Sequence, residues 1–223
     1  MAASILTVAS TKGGAGKTTI IMALAGALAA EGLHVAVVDA DPNRAYASWA
    51  SEAYEGVTIE VRAEADETRL ADAIDELAPK ADIVLIDTAG FGNRAALLAI
   101  AAADAVLVPC TPSRADIEQA AKTLQLIEGA ARAARRAIPA RVVPSRVKVT
   151  TAVSKHAMAE LDAAELPRTA AMVSDRVAFA EMTFSGRVPP AGTDAGQEVS
   201  NLIRELRELG WLPEVRISAP VSL

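Results

Sequence analysis

Eight residues constrain this chain more than any others: Lys12-Gly13-Gly14-Ala15-Gly16-Lys17-Thr18-Thr19. An apolar β-like run, Ile5-Leu6-Thr7-Val8-Ala9, precedes them, and a helix-like run, Ile20-Ile21-Met22-Ala23-Leu24-Ala25, follows. Strand, glycine-rich turn and helix in that order form a phosphate-binding loop. Glycines at 13, 14 and 16 let backbone N–H groups turn inward around an anion. The new helix aims its N-terminal N–H groups and positive dipole end at the same place. Lys17 is placed to reach the β- and γ-phosphates, and the Thr18 hydroxyl to ligate Mg²⁺.

The rest of the chain alternates in the same way. Strands are expected near 4–10, 34–39, 57–61, 82–87, 104–109 and 141–147, and helices near 17–31, 66–77, 93–102, 114–134, 154–163 and 196–209. Runs such as Val35-Ala36-Val37-Val38 and Ile83-Val84-Leu85-Ile86 are apolar without alternation. That pattern belongs to strands covered on both faces. The expected fold is therefore α/β, a P-loop NTPase with a mostly parallel twisted sheet and helices on both faces. At 223 residues the chain suits one domain, taken as 1–210, with 211–223 as a tail or arm. The Pro/Gly-rich stretch 186–196 is expected to be a surface loop.

Three further segments fall at strand ends, where ligands sit in such sheets. The second strand ends in Asp39-Ala40-Asp41-Pro42. Carboxylates at i and i+2 of a strand point the same way, here toward the loop. The fourth strand ends in Asp87-Thr88-Ala89-Gly90, and an Asp there can hold Mg²⁺ through water. Gly90 and Gly92 are expected to leave that turn mobile. The fifth strand ends in Pro109-Cys110-Thr111-Pro112-Ser113-Arg114-Ala115-Asp116.

Composition excludes several classes. A single cysteine, Cys110, rules out a disulfide framework and a subunit-bridging cluster needing two cysteines per chain. No secretion signal is expected at the N-terminus, and the longest apolar run, 20–30, is too short to span a bilayer. A cytoplasmic protein is expected. Net charge is −6 but unevenly spread, since residues 119–148 hold seven basic side chains and one acidic. A basic island on an acidic chain is a candidate polyanion site.

The variant K-G-G-x-G-K-T-T, with Lys12 at the front of the loop, resembles the deviant Walker A motif of the ParA/MinD ATPases. The D-x-D-P element at 39–42 and the P-x-x-P-S-x-x-D segment at 109–116 are similar to the same family. Asp41-Pro42-Asn43-Arg44, with Ser48-Trp49 close behind, and the segment 174–182 resemble its short, VirC-like members. The resemblance implies ATP and Mg²⁺ as cofactors, slow hydrolysis of ATP to ADP and phosphate, and a homodimer formed on ATP binding. It implies Lys12, Lys17 and Asp41 as catalytic residues. Lys12 would cross to the nucleotide of the other subunit, and Asp41 would position the attacking water. It implies nucleotide contacts along Lys12, Gly13, Gly14, Ala15, Gly16, Lys17, Thr18 and Thr19, with Pro112 near the base. Metal contacts would come from Thr18, Asp39 and Asp87, and Arg114 and Asp116 would be cross-subunit contacts. Relatives of this kind bind DNA non-specifically through their C-terminal halves. Arg141, Arg146, Lys148, Lys155, Arg168, Arg176 and Arg187 are the pool here, which implies a nucleoid-associated protein.

The function this implies is partition or positioning of DNA or another cargo, with a ParB-like or other adaptor stimulating hydrolysis. Three alternatives remain open: an accessory ATPase of conjugative DNA transfer, a MinD-like membrane-cycling protein, and a metabolic ligase of the dethiobiotin synthetase type. The membrane reading is disfavoured by the last helix, where Glu205 and Glu208 are mixed with Arg204 and Arg207, so that it is expected to pack on the core.

Overall fold

A computed structural model describes residues 3–90, 94–148 and 151–215. Among these residues, β1 (Ser4–Val8), β2 (Val35–Ala40), β3 (Glu60–Ala63), β4 (Ile83–Thr88), β5 (Ala105–Cys110), β6 (Ala140–Val147) and β7 (Val173–Ser174) form one sheet. Its order is β3-β2-β4-β1-β5-β6-β7, and every pairing is parallel. The helices are α1 (Lys17–Ala30), α2 (Ala45–Glu52), α3 (Leu70–Leu77), α4 (Arg94–Ala102), α5 (Arg114–Ala134), α6 (Ala152–Ala163), α7 (Val177–Ser185) and α8 (Asp194–Glu208).

Successive strand residues point to opposite faces, and the core divides accordingly. Leu6, Val8, Val37, Leu85 and Leu107 pack with α1, α2, α7 and α8. Ala36, Val38, Val84, Ile86, Val106 and Val108 pack against α3, α4, α5 and α6 on the other side. Strands β2, β4 and β5 are buried along their whole length, which explains their unbroken apolar sequence. The expected α/β architecture is therefore present.

β1 lies between β4 and β5 at the centre of the sheet, so the loop after it opens at the reversal of strand order. α5 shows how local chemistry sets a boundary. Ser113 caps it by accepting the Asp116 N–H, an arrangement worth about 1 kcal/mol. The apolar face of α8 (Val199, Leu202, Ile203 and Leu206) is buried in the core, as expected. Trp211 and Leu212 are buried there too, so the packed body extends past residue 210. No helix of the described residues is long and apolar enough to cross a membrane.

The structure departs from the sequence expectations in places. Strand β3 occupies Glu60–Ala63 rather than 57–61. Helix α3 starts at Leu70 rather than 66, because Asp66 accepts the Thr68 N–H and hydroxyl in a tight turn. The 186–196 loop ends early, since Thr193 caps α8 at Asp194. Helices α2 and α7 and the two-residue β7 were not anticipated. Gly92, residue 93 and the tail 216–223 lie outside the described residues.

Trp49 ties the two unanticipated helices together. It is buried in α2, and its Nε1 donates to the Met182 carbonyl of α7 at 2.9 Å. Trp49→Phe removes that bond and some ring volume, while Met182 keeps the Gly186 N–H. A loss of about 2 kcal/mol is expected in urea denaturation. An unchanged midpoint would show that the α2–α7 contact contributes nothing.

Candidate nucleotide site

The phosphate loop follows β1 and opens directly into α1. Gly14 and Gly16 have φ of 77° and 98°, and Gly16 is the N-terminal cap of α1. Only glycine adopts these values without strain. Lys17 is buried at the start of α1, and its Nζ lies 3.3 Å from the Lys12 carbonyl oxygen. Burial lowers the Lys17 pKa, and the nearby Asp87 and Asp41 charges oppose that shift.

Two carboxylates stand side by side behind the loop, because Asp39 of β2 and Asp87 of β4 are register partners. Both are fully buried. Asp39 accepts the Asp41 N–H (3.1 Å) and the Ala47 N–H (2.9 Å). It therefore holds the turn after β2 and the first turn of α2, and it does not line the cavity. Burial raises its pKa, and these backbone hydrogen bonds work against the rise. Asp87 is different: neither carboxylate oxygen has a hydrogen-bond partner among the described residues. Burial pushes its pKa up to about 7. The Thr18 hydroxyl and Lys17 charge favour the ionised form, and Asp39 and Asp41 oppose it.

A buried carboxylate without a partner is expensive unless a cation completes it. Hard oxygen donors, a Thr hydroxyl and a carboxylate at the mouth of a phosphate loop suit Mg²⁺. The residues present therefore fit that ion through Thr18 and Asp87, with Asp39 as support.

Two cavities flank the loop. One, of about 570 Å³, is lined by Gly13, Gly16, Lys17, Thr18, Thr19 and Asp41, with Gly90, Ser145, Arg146 and Arg176 also on its wall. The other, of about 630 Å³, is lined by Lys12, Gly13, Gly14, Ala15, Thr111, Pro112, Asp116, Arg146 and Lys148. Volumes of this size suit a nucleotide-sized ligand. The expected nucleotide contacts, Lys12 to Thr19 and Pro112, all lie on these two walls. Gly90 comes close to the loop: a Cβ there would sit 3.5 Å from the Gly13 nitrogen.

Lys12 is held within its own chain. Its ammonium contacts the Asp116 carboxylate, which also accepts the Thr111 hydroxyl. Burial would raise the Asp116 pKa, but the hydrogen bonds from Lys12, Thr111 and Ser113 outweigh it and hold the carboxylate low. Asp116 is thus buried and bonded at home, whereas Arg114 is exposed and pairs with Glu118 at 3.4 Å.

The seven basic residues are spread along the fold from β6 to the segment after α7. Arg141 and Arg146 lie near opposite ends of β6, about 16 Å apart at a strand's rise per residue. Arg141 donates to the Arg168 carbonyl at the far end. Arg146 lies on the walls of both cavities and Lys148 on the wall of the larger one. Four of the seven are paired to carboxylates: Lys148 to Asp175, Arg168 to Asp162, Arg176 to Asp194 and Glu198, and Arg187 to Glu55. Sequence reasoning missed Ser145, which donates to the Ala15 carbonyl at 2.5 Å. It also missed the position of Arg146 beside the loop.

Residues 3–207 match the family model described as the VirC1 protein. This chain belongs to the VirC1 family. It is 35% identical over 188 residues to the protein virC1 of Rhizobium radiobacter, covering 82% of this chain and 81% of that protein. A ParA protein of the same organism is 35% identical over 123 residues, about 55% of each chain. The fold is similar to that of a Cyanothece McdA variant in complex with ATP, with a TM-score of 0.76 at 17% identity, covering 99% of each chain. The VirC1 family match agrees with the ParA/MinD-type loop and with the VirC-like segments read from the sequence.

Asp87 gives a pH-dependent signature for this VirC1-family chain. Its folded pKa of about 7 exceeds the ordinary value of 3.8. The unfolded chain thus holds fewer protons than the folded one between those values. Stability falls as pH rises through that window, and the full cost is present above it. In nucleotide-free protein with chelator, Asp87→Asn is expected to raise the melting temperature clearly at pH 8 and little at pH 4. A variant that melts lower than wild type at both would show that the carboxylate is already partnered.

Proposed function

We propose that this chain is a ParA-type ATPase that dimerises on binding ATP and Mg²⁺, binds DNA non-specifically as the dimer, and releases it after hydrolysis. One observation carries the nucleotide half of this reading: the buried, unpartnered Asp87 carboxylate beside Thr18 and Lys17 at the mouth of the phosphate loop. Thr18 and Asp87 would hold Mg²⁺. The ion would offset charge on the phosphate oxygens. The loop N–H groups and Lys17 would hold the phosphates, while Asp41, on the cavity wall, would orient the attacking water. Hydrolysis breaks the bond between the γ-phosphorus and the bridging oxygen and yields ADP and phosphate.

Lys12 would reach the nucleotide of a second copy, which requires it to leave Asp116. Proximity explains why Asp116 matters: the same carboxylate that holds Lys12 in one chain competes with the phosphates for it. DNA binding is supported by the concentration of positive charge in 119–148 and by the family resemblance. Arg141 and Lys155 are the most suitable contacts of the pool, since they line neither cavity and pair with no carboxylate among the described residues. Partition or positioning of a DNA cargo follows, driven by a ParB-like or other adaptor. The VirC1 match favours, as a second reading, an accessory role in conjugative DNA transfer.

The test is binding to a duplex of arbitrary sequence with ATP, with ADP and without nucleotide, at low and moderate salt. Binding is expected only with ATP and should weaken steeply with salt. Lys17→Ala and Lys12→Ala should abolish it, and an Arg141/Lys155 double alanine should weaken it while ATP hydrolysis persists. Absence of DNA binding in every nucleotide state would overturn the DNA half, and absence of ATP hydrolysis would overturn the enzyme half.

A further inference from the structure

The phosphate loop is held from outside by β6, a strand two places away from β1 in the sheet. Ser145 Oγ donates to the Ala15 carbonyl at 2.5 Å, and Arg146 Nη1 donates to the Gly14 carbonyl at 3.3 Å. Neighbouring residues of a regular strand point to opposite faces, so they cannot both address one loop. β6 departs from regularity at this point. Its pairing with β7 shifts register between Ser145 and Val147, and Arg146 has a φ of 53°. A bulge re-aims a side chain in this way, and a large residue in the left-handed region is strained there.

In a trans peptide the C=O and the next N–H point in opposite directions. Drawing the Gly14 and Ala15 carbonyls toward β6 therefore turns the Ala15 and Gly16 N–H groups to the other side. We infer that the Ser145–Arg146 bulge is a positioning device for the phosphate cradle: it presets two loop N–H groups toward the nucleotide before it binds. Gly16 lies against Ser145, where a Cβ would make only ordinary contact with its Oγ at 3.5 Å, and it is the φ of 98° that calls for glycine. Arg146 has no carboxylate partner among the described residues, whereas Lys12 and Lys148 on the same cavity wall are paired to Asp116 and Asp175. Its guanidinium is thus free to serve the loop. This inference rests on the ATP-binding reading above.

The experiment measures ADP affinity and nucleotide-free melting temperature for wild type, Ser145→Ala, Ser145→Thr and Arg146→Gly. Ser145→Ala should bind ADP about ten-fold more weakly, the size of one lost hydrogen bond, and Ser145→Thr, which keeps the hydroxyl, should restore most of it. Arg146→Gly relieves backbone strain, so it should melt at or above wild type while binding ADP several-fold more weakly. A purely structural role would move affinity and stability together. Variants that bind ADP like wild type, or whose affinity falls only in step with melting temperature, would overturn the inference. Wild-type protein that binds no adenine nucleotide would overturn the ATP reading itself, and the inference with it.

Discussion

A buried carboxylate without a partner is the constraint around which the site is built. Asp87 lies one residue before the end of β4, the neighbour of β1, and among the described residues neither of its oxygens has a hydrogen-bond partner. Burying a charge this way costs several kcal/mol after relaxation, and packing alone does not return it. The surroundings are arranged to exploit it. Lys17 and Thr18 come from the first turn of α1, and the sheet places Asp39 at the register position alongside. On the proposed reading, a cation and an anionic ligand would recover that cost on binding.

Asp39 shows how the sheet and the site share residues. Helix α2 has no side-chain cap at Arg44, whose backbone is left-handed. Its cap is supplied from the end of β2, where Asp39 accepts the Ala47 N–H while also fixing the Asp41 N–H. One carboxylate therefore starts a helix and orients the turn that carries Asp41. Losing Asp39 would disturb both at once, so an activity loss at that position says little about metal contact.

The same arrangement explains what could be read from the sequence. Strands β2, β4 and β5 were legible because helices cover both faces and their apolar runs are long. The loop was legible because glycine positions and Lys17-Thr18 are fixed by the chemistry of phosphate. Helix α2 was not, because its cap lies on another element, six residues before the helix begins. β7 is two residues long and α7 has no capping side chain, so neither leaves a local pattern. β3 is an edge strand whose Glu60 and Arg62 face solvent, which weakens its apolar signal.

Charge was the least legible quantity, for a physical reason. Composition counts Arg141, Arg146 and Lys148 as one basic segment, but a strand spreads its residues along its length and a bulge turns one of them aside. Arg146 points at the Gly14 carbonyl because its φ is 53°, and backbone sign is invisible in a residue count. The same holds for Lys12. Its position at the front of the loop was readable, but its engagement by Asp116 depends on β5 ending beside β1 and on the Thr111 hydroxyl, which donates to that carboxylate. On the proposed reading, Asp116 and the phosphates of a second copy's nucleotide would compete for Lys12. A triphosphate carries more charge than one carboxylate, and a buried interface would screen it less than water does. On that reading, the switch between the two states would be a competition for a single ammonium group.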